Sequence, residues 1–164
     1  MSLIDKFNKL NKSDFLSIFG NVFEKTEWIA EKCYDLKPYK SVDELFLKMM
    51  EIFENTEKEK HLKILNAHPN LAVEKKLTKD SKNEQKNASL NQCNDAEFIE
   101  FKKLNAEYKK KFGFPFIVAV KGKNKEEILN SFRQRITNNI NLEFEEAKKQ
   151  VKKIASFRLN EILK

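Results

Sequence analysis

The sequence predicts an all-α fold: a single-domain helical bundle of about eight or nine helices, with one short extended segment near residues 113–122. Three observations point there. Only three glycines and three prolines punctuate 164 residues. Strong helix formers such as Lys, Glu and Leu are abundant, and apolar residues recur at intervals of three and four. A chain of this length matches one domain and buries roughly two thirds of its unfolded surface without needing a covalent staple, so residues 1–164 are read as one domain.

Helical periodicity covers residues 3–9, 13–22, 24–35, 42–55, 58–66, 81–92, 95–112, 124–138 and 141–163. Two starts carry the capping-box pattern, Ser41-Val42-Asp43-Glu44 and Ser81-Lys82-Asn83-Glu84, in which a serine hydroxyl and a glutamate satisfy free backbone N–H groups. The helix ending near residue 66 must stop at His68, because Pro69 disfavours the α region at the residue before it. His61, within a lysine-rich helix, is expected to be exposed. The run Gly113-Phe114-Pro115-Phe116-Ile117-Val118-Ala119-Val120-Lys121-Gly122 is apolar between two glycines, and extended backbone there offers N–H and C=O groups that no helix uses. Lysine runs at Lys109-Lys110-Lys111, Lys148-Lys149 and Lys152-Lys153 are read as lying towards helix ends, where cations suit the dipole.

Two polar residues interrupt apolar stripes. On the last helix Arg158 falls in line with Phe144, Ala147, Val151, Ile154 and Ile162, so if it points inward it needs an acid partner or an anionic ligand. On the helix before Gly113, Asn105 lies in line with Phe98, Phe101, Tyr108 and Phe112; a structural duty, tying down the neighbouring extended segment, explains it. Spacing leaves His68 ambiguous between a hydrogen-bonded turn residue and a catalyst. It leaves Ser81 and Glu84 explained by the cap alone.

Charge and cysteine usage narrow the classes. The net charge of +7 suggests phosphate binding, but there are only three arginines, and the lysines are interleaved with acids, which fits a solvated surface better than a nucleic-acid face. Two distant cysteines, Cys33 and Cys93, suggest neither a disulfide scaffold nor a zinc site. No apolar run suits a signal peptide or a membrane span, so a cytoplasmic protein with no membrane association is expected.

Four ordered segments together resemble one family. They are Ala67-His68-Pro69-Asn70-Leu71-Ala72, Ser81-Lys82-Asn83-Glu84-Gln85, the stretch Phe101–Tyr108 running into Lys111–Ile117, and Ile154-Ala155-Ser156-Phe157-Arg158-Leu159. The chain is similar over nearly its whole length to the decarboxylases of 2-oxo-4-hydroxy-4-carboxy-5-ureidoimidazoline (OHCU). The resemblance implies an all-helical homodimer that converts OHCU to (S)-allantoin and carbon dioxide in urate breakdown, without metal or organic cofactor. It also implies a site in which His68 and Glu84 are catalytic while Pro69, Ser81, Gln85, Phe116, Ile117 and Arg158 bind substrate. One position departs from the pattern: Ser89 stands where the family usually has glycine, which puts local packing in question. Two competing readings are a basic helical module that binds a small anion or nucleic acid, and a related ureide-processing lyase with a shifted substrate.

Overall fold

The computed structural model describes residues 1–72 and 77–164, and among these every regular element is helical. Nine α-helices follow one another: α1 (Leu3–Lys9), α2 (Lys12–Phe19), α3 (Glu27–Asp35), α4 (Val42–Glu54), α5 (Lys58–Ala67), α6 (Lys79–Asn87), α7 (Asp95–Phe112), α8 (Lys125–Arg135) and α9 (Ile140–Ile162), with a 3₁₀ turn at Leu90–Gln92 before α7. No described helix is long and apolar enough to cross a membrane.

Side-chain caps explain most starts. Ser2, Asn11, Ser41, Thr78, Asn94 and Asn124 each accept a hydrogen bond from the N–H three residues on, which satisfies one of the donors a helix start leaves open. At Ser41 the serine half of the expected box is present, but Glu44 accepts from the N–H of Lys40 instead of that of Ser41. The second expected box is absent. The cap of α6 is Thr78, so Ser81 lies within the first turn, its N–H donating to the Thr78 hydroxyl. The pattern misled because Thr78 offers the same hydroxyl one turn earlier.

Left-handed residues end or separate elements. Lys25 at φ 49° lies between α2 and α3, which splits the expected boundary of 22 and 24 into a seven-residue connection. Ser89 at φ 61°, ψ 20° separates α6 from the 3₁₀ turn, where an unbroken helix to residue 92 was expected. Gly113 at φ 82° closes α7, a conformation that glycine adopts without a Cβ penalty.

Contacts group into two units, residues 1–64 with 154–164, and residues 65–153. The first has an aromatic core: Phe7 meets Phe19 edge-on, Phe15 packs on Phe19 and Tyr34, and Phe23 stacks on Phe53. His61 belongs to this core. It is buried, its Nε2 lies 2.7 Å from the Phe53 carbonyl, and its ring meets Phe53 edge-on, contrary to the exposure expected from its lysine-rich helix. An N–H at Nε2 satisfies a carbonyl near the end of α4, which offsets the burial of a polar ring.

The second unit is built on α7. Phe101, Leu104, Asn105, Tyr108 and Phe112 form its buried face, while Phe98, expected on the same stripe, is exposed. Tyr108 is the hub of the aromatic cluster, with Phe112, Phe114, Phe116 and Phe132 around it. The chain from Pro115 to Val120 is non-helical, as expected, and among the described residues it pairs with no strand.

The stripe on α9 is rotated from the expected one. Glu143, Ala147, Gln150, Val151, Ala155, Arg158 and Leu159 are buried, whereas Phe144, Ile154 and Ile162 are half-exposed. Polar residues with buried partners shift a helix face that hydropathy alone would centre elsewhere. Lys109–Lys111 do occupy the last turn of α7, but Lys148–Lys153 sit mid-way along α9, where no terminal dipole rewards them.

Candidate active site

α5 stops where Pro69 requires. The N–H of His68 donates to the Leu65 carbonyl at 3.2 Å, closing the last turn, and His68 itself is buried. The loop that follows is held by amide side chains. Gln85 of α6 accepts from the N–H of Ala72 at 3.1 Å and donates to the Asn70 carbonyl at 3.2 Å. Asn105 of α7 donates to the Leu71 carbonyl at 3.0 Å. Three consecutive residues after Pro69 are thus clamped from two helices, and Ala72 is kept at φ 56°, a region unfavourable for a residue with a Cβ. The structural duty expected of Asn105 is real, but the segment it ties is the His68 loop, not the run after Gly113.

Ser81 and Gln85 form the buried face of α6, with Ala88 buried at its C-cap and Glu84 half-buried beside them. A residue in the first turn whose hydroxyl is not needed as a cap, and which is nonetheless buried, is free of the explanation that spacing gave it. Gln85 has the opposite correction. Both ends of its amide are engaged with the loop, so its first task is to hold the His68 segment.

The second irregular segment meets the same scaffold. Asn66, near the end of α5, donates to the Gly113 carbonyl at 3.2 Å, and Tyr108, one turn beyond Asn105 on α7, packs on Phe114 and Phe116. One face of α7 therefore supports both the His68 loop and the segment carrying Phe116 and Ile117. All seven residues 114–120 are buried, yet among the described residues the backbone of residues 116–120 makes only three hydrogen bonds to protein. Arg135 donates to the Ile117 carbonyl at 2.6 Å, the Ala119 N–H donates to Gln150 at 3.0 Å, and the Lys123 N–H donates to the Val120 carbonyl at 3.0 Å. Buried backbone groups normally have partners, so this edge is suited to a ligand rich in N–H and C=O groups.

Sequence reasoning missed the network behind that segment. Glu143, with no exposed side-chain surface, accepts from the Tyr108 hydroxyl at 2.5 Å, from Arg135 Nε at 2.9 Å and from Asn138 at 3.0 Å. Burial first, then the bond to Glu143, pushes the Tyr108 hydroxyl far above its usual range, so it remains a donor at any working pH. The available signal was spacing: Ile128, Phe132 and Arg135 are four and three apart on α8, which puts the arginine on the apolar face.

Arg158 belongs to the first unit. Its Nη2 pairs with Glu24 at 2.9 Å and its Nη1 donates to the Asn21 carbonyl at 2.8 Å, with Glu24 fully buried. The inward arginine inferred from the stripe is correct, and an acid partner accompanies it.

The second unit is thus a helical scaffold that buries a histidine on a clamped loop beside an irregular, buried apolar segment, the kind of concave setting in which small-molecule enzymes place their chemistry. A profile of the OHCU decarboxylase family matches residues 8–160, and the chain belongs to that family. It is similar to the uric acid degradation bifunctional protein of Bacillus sp. (strain TB-90), 41% identical over 164 residues, which cover 100% of this chain and 33% of that protein. The chain thus spans about a third of the length of that relative. It is also similar to the 2-oxo-4-hydroxy-4-carboxy-5-ureidoimidazoline decarboxylase of Haloferax volcanii, 35% identical over 158 residues, covering 96% of this chain and 94% of that protein. Among solved structures, that of an (S)-allantoin synthase superposes with a TM-score of 0.78 at 26% identity, covering 97% of this chain and 53% of the other.

Proposed function

We propose that the chain catalyses the cofactor-independent decarboxylation of OHCU to (S)-allantoin and carbon dioxide, a step of urate breakdown. The observation that carries this is the family match over residues 8–160, joined to a buried His68 whose loop is clamped by Gln85 and Asn105.

The substrate's own chemistry makes the proposal economical. OHCU carries its carboxylate on a carbon that also bears a hydroxyl, next to a C=N bond. When the carbon–carbon bond breaks, its electron pair moves into the C=N system, carbon dioxide leaves, and the nitrogen takes up a proton. The resulting enol collapses to a ring carbonyl as its hydroxyl proton departs and a proton is added at the ureido-bearing carbon. One proton is consumed in all, and the last addition sets the stereocentre. The protein must orient the ring, stabilise developing charge and protonate one face.

His68 is assigned the proton at the hydroxyl-bearing centre, since an imidazole exchanges protons near neutral pH. Glu84 orients it or accepts from the ureido N–H groups, and Ser81 adds a hydroxyl contact. Gln85 offers the ureide an amide donor and acceptor, and Pro69 and the backbone around Phe116 and Ile117 line the pocket. The role of Arg158 rests on the family pattern alone. Because Glu24 already balances its charge, the guanidinium suits a ring carbonyl better than the departing carboxylate, whose tight binding would oppose its loss.

The same reading makes the protein one domain acting as a cytoplasmic homodimer without nucleic-acid partners. All three arginines are paired with carboxylates, to Glu100, Glu143 and Glu24, which supports the last point. Both cysteines are free thiols, in keeping with a reducing compartment. The test is to follow fresh OHCU by the optical activity of the allantoin formed. Stereospecific product that depends on the protein supports the proposal; racemic product at the uncatalysed rate removes it.

A further inference from the structure

Among the described residues, the hydrogen bonds of the buried charges behind the Phe116 segment go to that segment, to one another and to Tyr108 and Asn138, and the roles assigned above leave them unused. Arg135 reaches the segment in two ways. Its Nη1 holds the Ile117 carbonyl at 2.6 Å, and its guanidinium carbon lies 4.5 Å from the centre of the Phe116 ring. The same ring stacks on Phe132 with centroids 3.9 Å apart and planes within 8°. Gln150 takes the Ala119 N–H, two residues along. Ile117 and Ala119 are thus held by α8 and α9, while no hydrogen bond from the described residues engages the backbone of Val118 between them.

Stability does not require charges here. Desolvating a carboxylate and a guanidinium costs several kcal/mol each, and well-packed apolar residues of similar volume often serve as well or better. What a buried pair adds is direction. Glu143 is fixed by Tyr108 and Asn138 on either oxygen, so it presents Arg135 in a single orientation, and the planar fork then sets the height of the Ile117 carbonyl.

We infer that Arg135 and Glu143, braced by Tyr108, Asn138 and Gln150, are positioning residues that set the register of the Phe116–Val120 segment, so that the backbone of Val118 meets the substrate's ureide. This rests on the proposed OHCU chemistry and adds the residues that determine how the ureide is recognised. None of the five touches the reacting atoms. Their loss therefore weakens binding and orientation, while the proton chemistry of His68 keeps its own pH dependence.

The discriminating variant is the double replacement Arg135→Met with Glu143→Leu, assayed with fresh OHCU by the circular dichroism of the product, alongside thermal melting and amide hydrogen exchange. The expected result is a melting temperature near that of the unaltered protein, KM raised about ten-fold or more from lost backbone pairing, an unmoved pH profile of kcat, and faster exchange at Val118. A folded double variant with unaltered KM overturns the inference. If that variant does not fold, Arg135→Lys decides. A lysine can pair with Glu143 but cannot also lie on Phe116 and grip the Ile117 carbonyl, so KM and Val118 exchange should both rise; if neither moves, the inference is wrong. Should the unaltered protein leave OHCU untouched, the functional reading falls on that control. The exchange measurement then stands by itself, and equal Val118 exchange in Arg135→Lys overturns the positioning role.

Discussion

Replacing Gln85 by Leu separates loop clamping from substrate contact. The side chain is about the same size, so packing of the buried face of α6 is retained, but two hydrogen bonds disappear: Ala72 N–H to Oε1 at 3.1 Å and Nε2 to the Asn70 carbonyl at 3.2 Å. A neutral hydrogen bond contributes ~0.5–1.5 kcal/mol, and a buried donor left without a partner costs ~1–3 kcal/mol. Ala72 is buried whereas Asn70 is half-exposed, so water can replace the second bond but not readily the first. The loss should be about 2–3 kcal/mol, with the cost of opening the loop locally as its ceiling. For a chain of this size that is a fall in melting temperature of roughly 4–12 °C. Thermal melting and kcat, corrected for the folded fraction, are the assays. Clamping predicts that stability and kcat fall together, and that Asn105→Leu, which releases the Leu71 carbonyl, reproduces both. If Gln85→Leu melts like the unaltered protein and only KM rises, the clamp is energetically idle and Gln85 acts on substrate alone.

The two histidines should behave oppositely. His61→Ala removes a buried ring and orphans the Phe53 carbonyl, so it should lose roughly 2–4 kcal/mol in denaturant titration while the folded fraction keeps its kcat. Ser89→Gly should stabilise by roughly 0.5–1 kcal/mol, because the relief of a left-handed residue exceeds the entropy glycine adds to the unfolded chain; a lower melting temperature would show that the serine side chain earns its place. Glu24→Ala leaves Arg158 buried beside a missing partner and should cost about 3–5 kcal/mol by urea titration, against little change if the pair is idle. At high pH, burial has pushed the Cys33 thiol up to about 12, so the folded state holds a proton that the unfolded chain has released. Stability is then unaffected by Cys33 below the ordinary thiol range. It should fall by about 1.4 kcal/mol per pH unit as pH rises from the unfolded value towards 12, and Cys33→Ala should flatten that limb.

The helix order was legible in the sequence because periodicity and caps are local. Asn94 and Asn124 cap helices within a residue or so of where periodicity places their starts. Ser81 was misread for the same local reason, since a second hydroxyl at Thr78 satisfies the same rule one turn away and only burial distinguishes them. His61 shows the limit of composition: three lysines and two glutamates among residues 57–63 hide one inward position that a carbonyl on a different helix makes favourable. Arg158 was legible as inward, but Glu24, 134 residues away in the chain, was not. Glu143 was invisible because its burial depends on three donors, from Tyr108, Arg135 and Asn138, none of which lies on α9. Ser89 was flagged as a departure in packing. The structure moves the issue to the backbone, where the left-handed conformation explains why glycine suits the position.

The central proposal is that His68, buried on its clamped loop, handles the proton at the hydroxyl-bearing centre, so that protein-dependent, stereospecific turnover requires it. The most direct measurement is the circular dichroism of allantoin formed from fresh OHCU by the unaltered protein and by His68→Asn, with folding of both verified by melting. The account predicts (S)-allantoin from the first and racemic product at the spontaneous rate from the second. Full stereospecific turnover by folded His68→Asn would contradict it.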